Sequence, residues 1–165
     1  MTALDVAAKT ERDPASCWET PLWLVERIRE AFGGVIDLDP CTTAENPVGA
    51  TKFYAPPDDG IALSWSTLGI NKIYCNPPYG RTIRHWTERC IFYASAGREV
   101  ILLVPARTDA GWWHDLQANA TATVFFRGRI AFKNAGGSPK FPSALVGLNH
   151  DLATLSDLGI RSVAA

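Results

Sequence analysis

The sequence predicts an α/β protein built on a single sheet with flanking helices. The run Val100–Val104 is continuously aliphatic, which is typical of a strand buried on both faces in a parallel sheet. Further short apolar segments are expected as strands at residues 35–39, 52–54, 73–75, 122–126 and 143–148, the last of these being the final clear strand. Between them, residues 22–32, 82–96 and 112–116 place apolar side chains at helical intervals. Strands that alternate with helices indicate an α/β sheet.

Composition indicates an ordinary soluble chain. It has 165 residues, of which 47% are hydrophobic and 20% charged, and no apolar run approaches the roughly 20 residues that span a bilayer. Residues 1–14 mix small and charged side chains without the apolar core of a signal peptide, so we expect a loose leader followed by one domain, 15–165. The four cysteines and three histidines have no metal-ligand spacing, which favours no metal, no disulfide and a reduced cytoplasmic setting.

Two segments before residue 45 have distinctive local patterns, and only the second of them indicates ligand contact by itself. In Trp18-Glu19-Thr20-Pro21, Thr20 is expected as a helix N-cap and Pro21 as the first helical residue, which is a sufficient structural reason for both. In the predicted strand 35–39, Asp37 and Asp39 point to the same side. Carboxylates at a strand end suit a cationic ligand or ribose hydroxyls, although one of them could simply cap the next helix.

Residues 44–70 are irregular, with several prolines. An insertion of this length is usually functional, and we expect it to form part of a cofactor-pocket wall. Residues 61–65 are expected as a turn of helix. The glycine-rich loop of many nucleotide-binding folds is absent, and Cys41, Thr42 and Thr43 occupy its place.

Asn76-Pro77-Pro78-Tyr79 follows the predicted strand 73–75 directly. Two prolines cannot continue a sheet, so the chain leaves it at Asn76 and presents rigidly placed carbonyls. With the Asn76 amide and the Tyr79 ring, these carbonyls suit a flat heterocycle that bears an exocyclic amine. If the Asn76 carbonyl and the Pro77 main-chain carbonyl accept hydrogen bonds from both amine hydrogens, the nitrogen lone pair becomes available to an electrophile. A base inside a duplex would first have to be flipped out and stacked on Tyr79.

Charge is distributed unevenly along the chain. Residues 1–60 carry a net charge of −6, from five Lys/Arg and eleven Asp/Glu, whereas residues 61–150 carry +6, from ten and four. Arg81, Arg107, Arg127 and Arg129 are therefore candidates for phosphate contacts in a polyanion. The alternative is that these charges form ordinary solvated faces.

The chain resembles the phage-type DNA N-6-adenine methyltransferases, a family of small proteins with an Asn-Pro-Pro-Tyr motif. The resemblance rests on motifs in the same order along residues 16–148: Trp18–Pro21, Asp37–Pro40, Ala44–Asn46, Pro57–Gly60, Cys75–Arg81, Leu103–Asp109, Trp112–His114, Arg127–Arg129 and Phe141–Leu145. It implies a Rossmann-like fold that uses S-adenosylmethionine. The chain departs from larger adenine methyltransferases in lacking a Gly-x-Gly loop and a separate target-recognition domain.

The resemblance also implies roles for individual residues. Asn76, Pro77, Pro78 and Tyr79 would form the target-amine site, and the cofactor contacts would come from Trp18, Thr20, Pro21, Asp37, Asp39, Pro40 and Cys41. The implied partner is double-stranded DNA in the cytoplasm of a bacterial host, for a phage- or prophage-type protein. Alternatives left open are the same chemistry on RNA adenine, a cytosine amine or a protein glutamine, and an inactive nucleic-acid-binding module.

Overall fold

The structure is a computed structural model that describes residues 18–133 and 139–164. The expected leader lies outside these residues, as do Cys17 and residues 134–138. Within the described residues, seven strands form one sheet: β1 Leu38–Asp39, β2 Lys52–Phe53, β3 Lys72–Cys75, β4 Glu99–Pro105, β5 Ala122–Phe126, β6 Ser143–Leu148 and β7 Gly159–Val163. The helices are α1 Leu22–Ala31, α2 Ile83–Ser95, α3 Gly111–Ala118 and a 3-10 helix, Ala153–Leu158. The predicted α/β fold with one sheet and flanking helices is confirmed.

The sheet is mixed and has the order β2-β1-β3-β4-β6-β5-β7. β2, β1, β3 and β4 are parallel, whereas β6 runs antiparallel between β4 and β5, and β7 runs antiparallel beside β5. The parallel environment expected for residues 100–104 is therefore correct on the β3 side only. Because β4 and β5 both oppose β6, the carboxyl ends of β1, β3, β4 and β5 meet at one edge of the sheet.

The core has two layers, one on each face of the sheet. Along β4, Val100, Leu102 and Val104 pack towards α2 and α3, and Ile101 and Leu103 pack towards α1 and the 3-10 helix. All five are fully buried, as the period of two along a strand requires when both faces are covered. Each contributes about 1.5–3 kcal/mol of hydrophobic free energy, so β4 is the central support of the edge where the carboxyl ends meet.

Several local predictions were wrong. The strand expected at 35–39 is limited to β1, and Val35 is half exposed because the turn at Gly33-Gly34 leaves it in solvent. Residues 61–65 form turns rather than helix, and they hold the buried Trp65 indole, whose Nε1 donates to the Gly60 carbonyl at 2.8 Å. The last strand is β7 rather than β6; its exposed edge pattern gave no apolar signal.

The start of α1 also differs from the expected cap. The helix begins at Leu22, and Pro21 occupies the cap position with an extended backbone. The Pro21 carbonyl accepts from the amides of Leu24 and Val25, and no side chain caps the helix. Thr20 is therefore not the N-cap, because its hydroxyl is directed to the carboxyl edge of the sheet instead. Among the described helices, none is long and apolar enough to cross a membrane.

Candidate active site

A cleft opens where the strand order reverses. β1 has β2 on one side and β3 on the other, which is the arrangement that places ligand sites outside the carboxyl ends in open α/β sheets. The cleft encloses about 410 Å³ of space, open to solvent. It is lined by residues from three parts of the chain: Trp18, Glu19, Thr20, Asp39, Cys41, Thr42, Thr43, Pro47, Val48, Asn76 and Pro78. Pro47 and Val48 show that the irregular segment 44–70 does form part of the wall.

Asn76 follows β3 at the floor of this cleft. Its Nδ2 donates to the main-chain carbonyl of Trp18 at 2.7 Å and to Thr20 Oγ1 at 3.2 Å. Both hydrogens of the amide nitrogen are thus used. Within residues 18–133 and 139–164, no donor meets Oδ1, so the amide is held with its acceptor end available.

Thr20 is linked in turn to a buried tyrosine. Its Oγ1 lies 2.6 Å from the hydroxyl oxygen of Tyr74, which sits on β3 two residues before Asn76. Burial raises the pKa of Tyr74 well above the usual phenol value, against the opposing effect of the hydrogen bond with Thr20. The phenol therefore stays neutral. The sequence pattern does not single out Tyr74, since a buried aromatic residue in a strand is typical of any core.

The proline pair fixes the turn after Asn76. Pro77 is buried and Pro78 lines the cleft. The main-chain carbonyl of Asn76 accepts a hydrogen bond from the Cys41 thiol, with Sγ and O 3.3 Å apart. Cys41 Sγ also lies 3.6 Å from the buried Cys75 Sγ. The end of β1 and the end of β3 are thus joined at the cleft floor.

Tyr79 belongs to an aromatic cluster of four rings: Trp18, Tyr79, Phe132 and Phe141. Trp18 and Phe141 stack with centroids 5.6 Å apart, and Tyr79 presents its ring edge-to-face to the other three at 5.5–6.0 Å. The Tyr79 hydroxyl donates to the Leu103 carbonyl at 3.2 Å, and burial raises its pKa well above the usual value. Neither Phe132 nor Phe141 was predicted as a site residue, because both lie in irregular segments that carry no periodic signal.

The two aspartates of the β1 segment have different surroundings. Asp39 is buried and lines the cleft, and its Oδ1 accepts from the Cys41 amide at 3.1 Å. Asp37 accepts from the amides of Asn71 and Lys72, both at 2.9 Å, and so caps the start of β3. Of the residues expected to contact a cofactor, Trp18, Thr20, Asp39 and Cys41 line the cleft. Pro21, Asp37 and Pro40 are not among its lining residues.

A short clasp holds the segment that carries Trp18 and Thr20. Glu19 and Lys133 form an isolated antiparallel bridge, with amide–carbonyl distances of 3.3 and 3.0 Å. Their side chains also pair, with Lys133 Nζ 3.2 Å from Glu19 Oε2. The clasp connects residues 18–20 to Phe132, and thereby to the aromatic cluster.

The four predicted phosphate contacts are all exposed. Arg81 follows β3, Arg107 follows β4, and Arg127 and Arg129 follow β5. Because these strands end at the edge of the sheet at which the cleft opens, we call the four arginines the basic rim. We use this term for Arg81, Arg107, Arg127 and Arg129 below.

Comparison with known families agrees with this arrangement. The family model for DNA N-6-adenine-methyltransferase (Dam) matches residues 7–145, most of the chain. The chain belongs to the DNA N-6-adenine-methyltransferase family. Comparisons with curated proteins and with solved structures gave no match. The resemblance predicted from the motifs is confirmed, and the mixed sheet is consistent with a Rossmann-like methyltransferase fold.

A methyltransferase implies a methyl donor, and the cleft suits a cationic one. Its lining contains two carboxylates, Asp39 and Glu19, of which Glu19 is paired with Lys133, and the described residues that line it include no Lys or Arg. No cluster of three or more His, Cys, Asp or Glu among the described residues could hold a metal ion.

Proposed function

We propose that this protein transfers a methyl group from S-adenosylmethionine to the exocyclic N-6 amine of adenine in double-stranded DNA. Family membership supports the reaction class. The observation that carries the proposal is the polarity of Asn76, whose amide nitrogen is occupied by Trp18 and Thr20 while its oxygen faces no donor in the described chain. This leaves an acceptor at the position where an aromatic amine needs one.

The residues of the Asn-Pro-Pro-Tyr turn act on the amine. The Asn76 Oδ1 and the Pro77 main-chain carbonyl each accept a hydrogen bond from the amine, which draws the nitrogen lone pair out of conjugation with the ring. When bound, S-adenosylmethionine supplies an electrophilic methyl group on a cationic sulfur. On transfer, the amine nitrogen would bond to the methyl carbon as the carbon–sulfur bond breaks to leave a neutral thioether, and the nitrogen would then lose one proton to water. The turn contributes orientation and electrostatic assistance rather than a strong base.

The aromatic cluster supports the extrahelical position of the base. Flipping costs a few kcal/mol, and stacking on an aromatic ring returns roughly 1–3 kcal/mol. Tyr79 is held at its hydroxyl by Leu103 and makes T-shaped contacts with three other rings, so its ring is restrained before the base arrives.

The cofactor and DNA would occupy neighbouring surfaces of the carboxyl edge. We assign the cleft to S-adenosylmethionine, with Asp39 and Glu19 facing its cationic or hydroxyl groups and with Trp18, Thr20 and Cys41 as walls. We assign phosphate contacts to the basic rim. A separate recognition domain is not part of this proposal, in which residues 15–165 act as one domain in a bacterial cytoplasm.

The first experiment is methyl transfer with labelled cofactor. Purified protein is incubated with tritiated-methyl S-adenosylmethionine and unmethylated duplex DNA, and the digested nucleosides are separated. We expect the label in N-6-methyladenine, and Asn76→Ala should lower turnover by roughly 100-fold or more. Asn119→Ala, which alters an exposed asparagine beyond the end of α3, is the matched control and should retain full activity.

Other outcomes of this experiment are equally informative. Label in RNA, in cytosine or in a protein glutamine, with none in DNA adenine, would replace the acceptor while keeping the chemistry. Absence of cofactor binding by calorimetry would favour an inactive nucleic-acid-binding module. Full turnover by a folded Asn76→Ala protein would contradict the role of the turn.

A further inference from the structure

We propose that Thr20 and Tyr74 are positioning residues that orient the Asn76 amide, an inference that rests on the proposed function of that amide. The starting point is the geometry at Nδ2. One hydrogen goes to the Trp18 carbonyl and the other to Thr20 Oγ1. A carbonyl can only accept, so Trp18 decides which end of the amide points away from it.

The second hydrogen bond fixes the plane of the amide. With the Trp18 bond alone, the carboxamide could rotate about its Cβ–Cγ bond, because a terminal sp³–sp² torsion is broad. The bond to Thr20 Oγ1 restricts that rotation, so Oδ1 keeps one direction. Thr20 therefore contributes to the direction in which Oδ1 points. Trp18 determines that the amide nitrogen, and not the oxygen, faces the protein.

Tyr74 holds Thr20 in turn. A threonine hydroxyl has one hydrogen and can rotate, and a rotated Thr20 could donate to Oδ1 and attract the wrong end of the amide. When Thr20 donates to the buried Tyr74 hydroxyl, 2.6 Å away, its only hydrogen is used and it cannot donate to Oδ1. When Tyr74 donates, the hydrogen bond fixes the position of the Thr20 oxygen. In both cases the Thr20 oxygen remains available to accept from Asn76.

The strand explains why these residues meet. Tyr74 and Asn76 are separated by two positions, and Tyr74 lies on the face of the sheet covered by α1, whereas Ile73 and Cys75 lie on the other. Thr20 immediately precedes Pro21 at the start of α1. The hydroxyl that would have capped the helix thus reaches β3, which is the physical reason that the expected N-cap is absent.

The test separates positioning from cofactor contact. Single-turnover methylation of DNA is measured with Tyr74→Phe, Thr20→Val and Thr20→Ser, together with calorimetric cofactor binding. We expect the methyl-transfer rate to fall about 3- to 10-fold in Tyr74→Phe and at least as much in Thr20→Val, as for the removal of one hydrogen bond. Thr20→Ser should recover most of the rate. The dissociation constant for the cofactor should stay within a factor of about two in Tyr74→Phe, because Tyr74 does not line the cleft.

Tyr54→Phe is the matched control. It removes another buried phenol hydroxyl, which donates to the Ser64 carbonyl at 2.6 Å on the other side of the sheet. Its methyl-transfer rate should remain that of the parent. A loss equal to that of Tyr74→Phe would show a general effect of stability and overturn the proposal.

A second, spectroscopic measurement tests the positioning role without requiring methyl-transfer activity. In nitrogen-15-labelled protein, the Asn76 side-chain amide pair is identified by its absence in Asn76→Ala. We expect one of its two hydrogens to shift and to exchange faster with water in Thr20→Val and in Tyr74→Phe. Unchanged amide signals in both variants would overturn the positioning role, even if the parent protein proved inactive on DNA.

One further result would also overturn it. If Thr20→Val weakened cofactor binding while the rate at saturating cofactor stayed the same, Thr20 would be a cofactor contact only. If the parent protein transferred no methyl group to DNA but the amide signals shifted as expected, the proposed function would fail and the positioning would stand.

Discussion

At the scale of single residues, the proposed site depends on side chains in which two chemical groups have different functions. In the proposed reaction, Asn76 uses its nitrogen for hydrogen bonds within the protein and its oxygen for the amine. Tyr79 uses its hydroxyl for a hydrogen bond to Leu103, and its ring is proposed to stack on the base. The two functions can therefore be separated by substitution.

For Tyr79 the ring should matter more than the hydroxyl. Tyr79→Phe removes one hydrogen bond of 3.2 Å and should lower kcat/KM by less than about tenfold. Tyr79→Ala removes the stacking surface, worth roughly 1–3 kcal/mol, and should lower kcat/KM by about 10- to 100-fold. The measurements are steady-state kinetics on duplex DNA and the fluorescence of 2-aminopurine at the target position. Equal losses in the two variants would contradict stacking.

The residues of the turn were predictable because proline chemistry is local. Two prolines after an apolar strand force a turn with fixed carbonyls wherever they occur. The role of Thr20 was not predictable, since its partners Tyr74 and Asn76 lie 54 and 56 residues away. A local rule favoured the N-cap, and a tertiary contact replaced it.

At the scale of elements, Gly60 allows the segment after β1 to pack against the turn before Trp65. A Cβ atom at this position would lie 1.8 Å from the Pro40 carbonyl oxygen and 3.1 Å from the Trp86 ring. A backbone oxygen cannot move aside as a flexible side chain can. This explains the glycine of the Pro57–Gly60 motif without any ligand contact.

Gly60→Ala should therefore be destabilising by about 1–3 kcal/mol, as expected for overpacking. Gly111→Ala is the control, because a Cβ atom at Gly111 would have no neighbour within 4 Å and the residue begins α3. That variant should be neutral or slightly stabilising. Urea denaturation followed by circular dichroism measures both, and equal midpoints would contradict the packing argument.

The link between α1 and the 3-10 helix should depend on pH. Arg27 donates to Asp157 through its two terminal guanidinium nitrogens, at 2.6 and 3.0 Å. This hydrogen bonding lowers the pKa of the Asp157 carboxyl. A lowered folded-state pKa stabilises the protein above the ordinary carboxyl pKa of about 4. The stabilisation is lost as the pH falls through the lowered value.

Asp157→Asn should accordingly lower Tm slightly at neutral pH, and the difference from the parent should shrink in acid, below the ordinary carboxyl pKa. Both partners are partly exposed, so the effect is small. Glu26→Gln, at an exposed position on α1, is the control and should show no such convergence. Thermal melts at several pH values measure the effect, and a difference that grows in acid would contradict the sign.

Elements with a strong apolar signal were predicted with nearly correct bounds, including α2, β3, β4, β5 and β6. Elements whose bounds depend on pairing with distant strands were not predicted correctly. β1 pairs over two residues only, because the Asp37 carboxylate takes the amides of Asn71 and Lys72. β7 is an edge strand with exposed Ile160 and Val163, so neither alternation nor burial marks it in the sequence.

At the scale of the whole molecule, residues far apart in the sequence come to one edge of the sheet. The basic rim follows the carboxyl ends of β3, β4 and β5, although its members are spread over residues 81–129. Asp39 and Glu19 line the cleft, which opens at the same edge. The proposed DNA contacts and the proposed cofactor site therefore share this edge.

Removing rim charges should weaken DNA binding and its dependence on salt. For every phosphate that an arginine no longer neutralises, the slope of log K against log salt should decrease by about 0.9. Arg107→Ala with Arg129→Ala should show this, measured by fluorescence anisotropy from low to moderate salt. Arg98→Ala, at the opposite edge just before β4, is the control and should keep the slope. Equal slopes in all proteins would exclude the rim as the DNA-binding surface.

The hydrogen bonds of Asn76 reach back 58 and 56 residues, to Trp18 and Thr20. Contacts over such a separation require a large loop to close, at a cost in chain entropy, so the proline turn cannot form them by itself. A chain that has made β3 and its proline turn, but has not docked residues 18–20, holds every residue of the motif with an Asn76 amide of undefined orientation. In the proposed reaction, methyl transfer should therefore be lost whenever residues 18–20 are undocked, even where the sheet is intact.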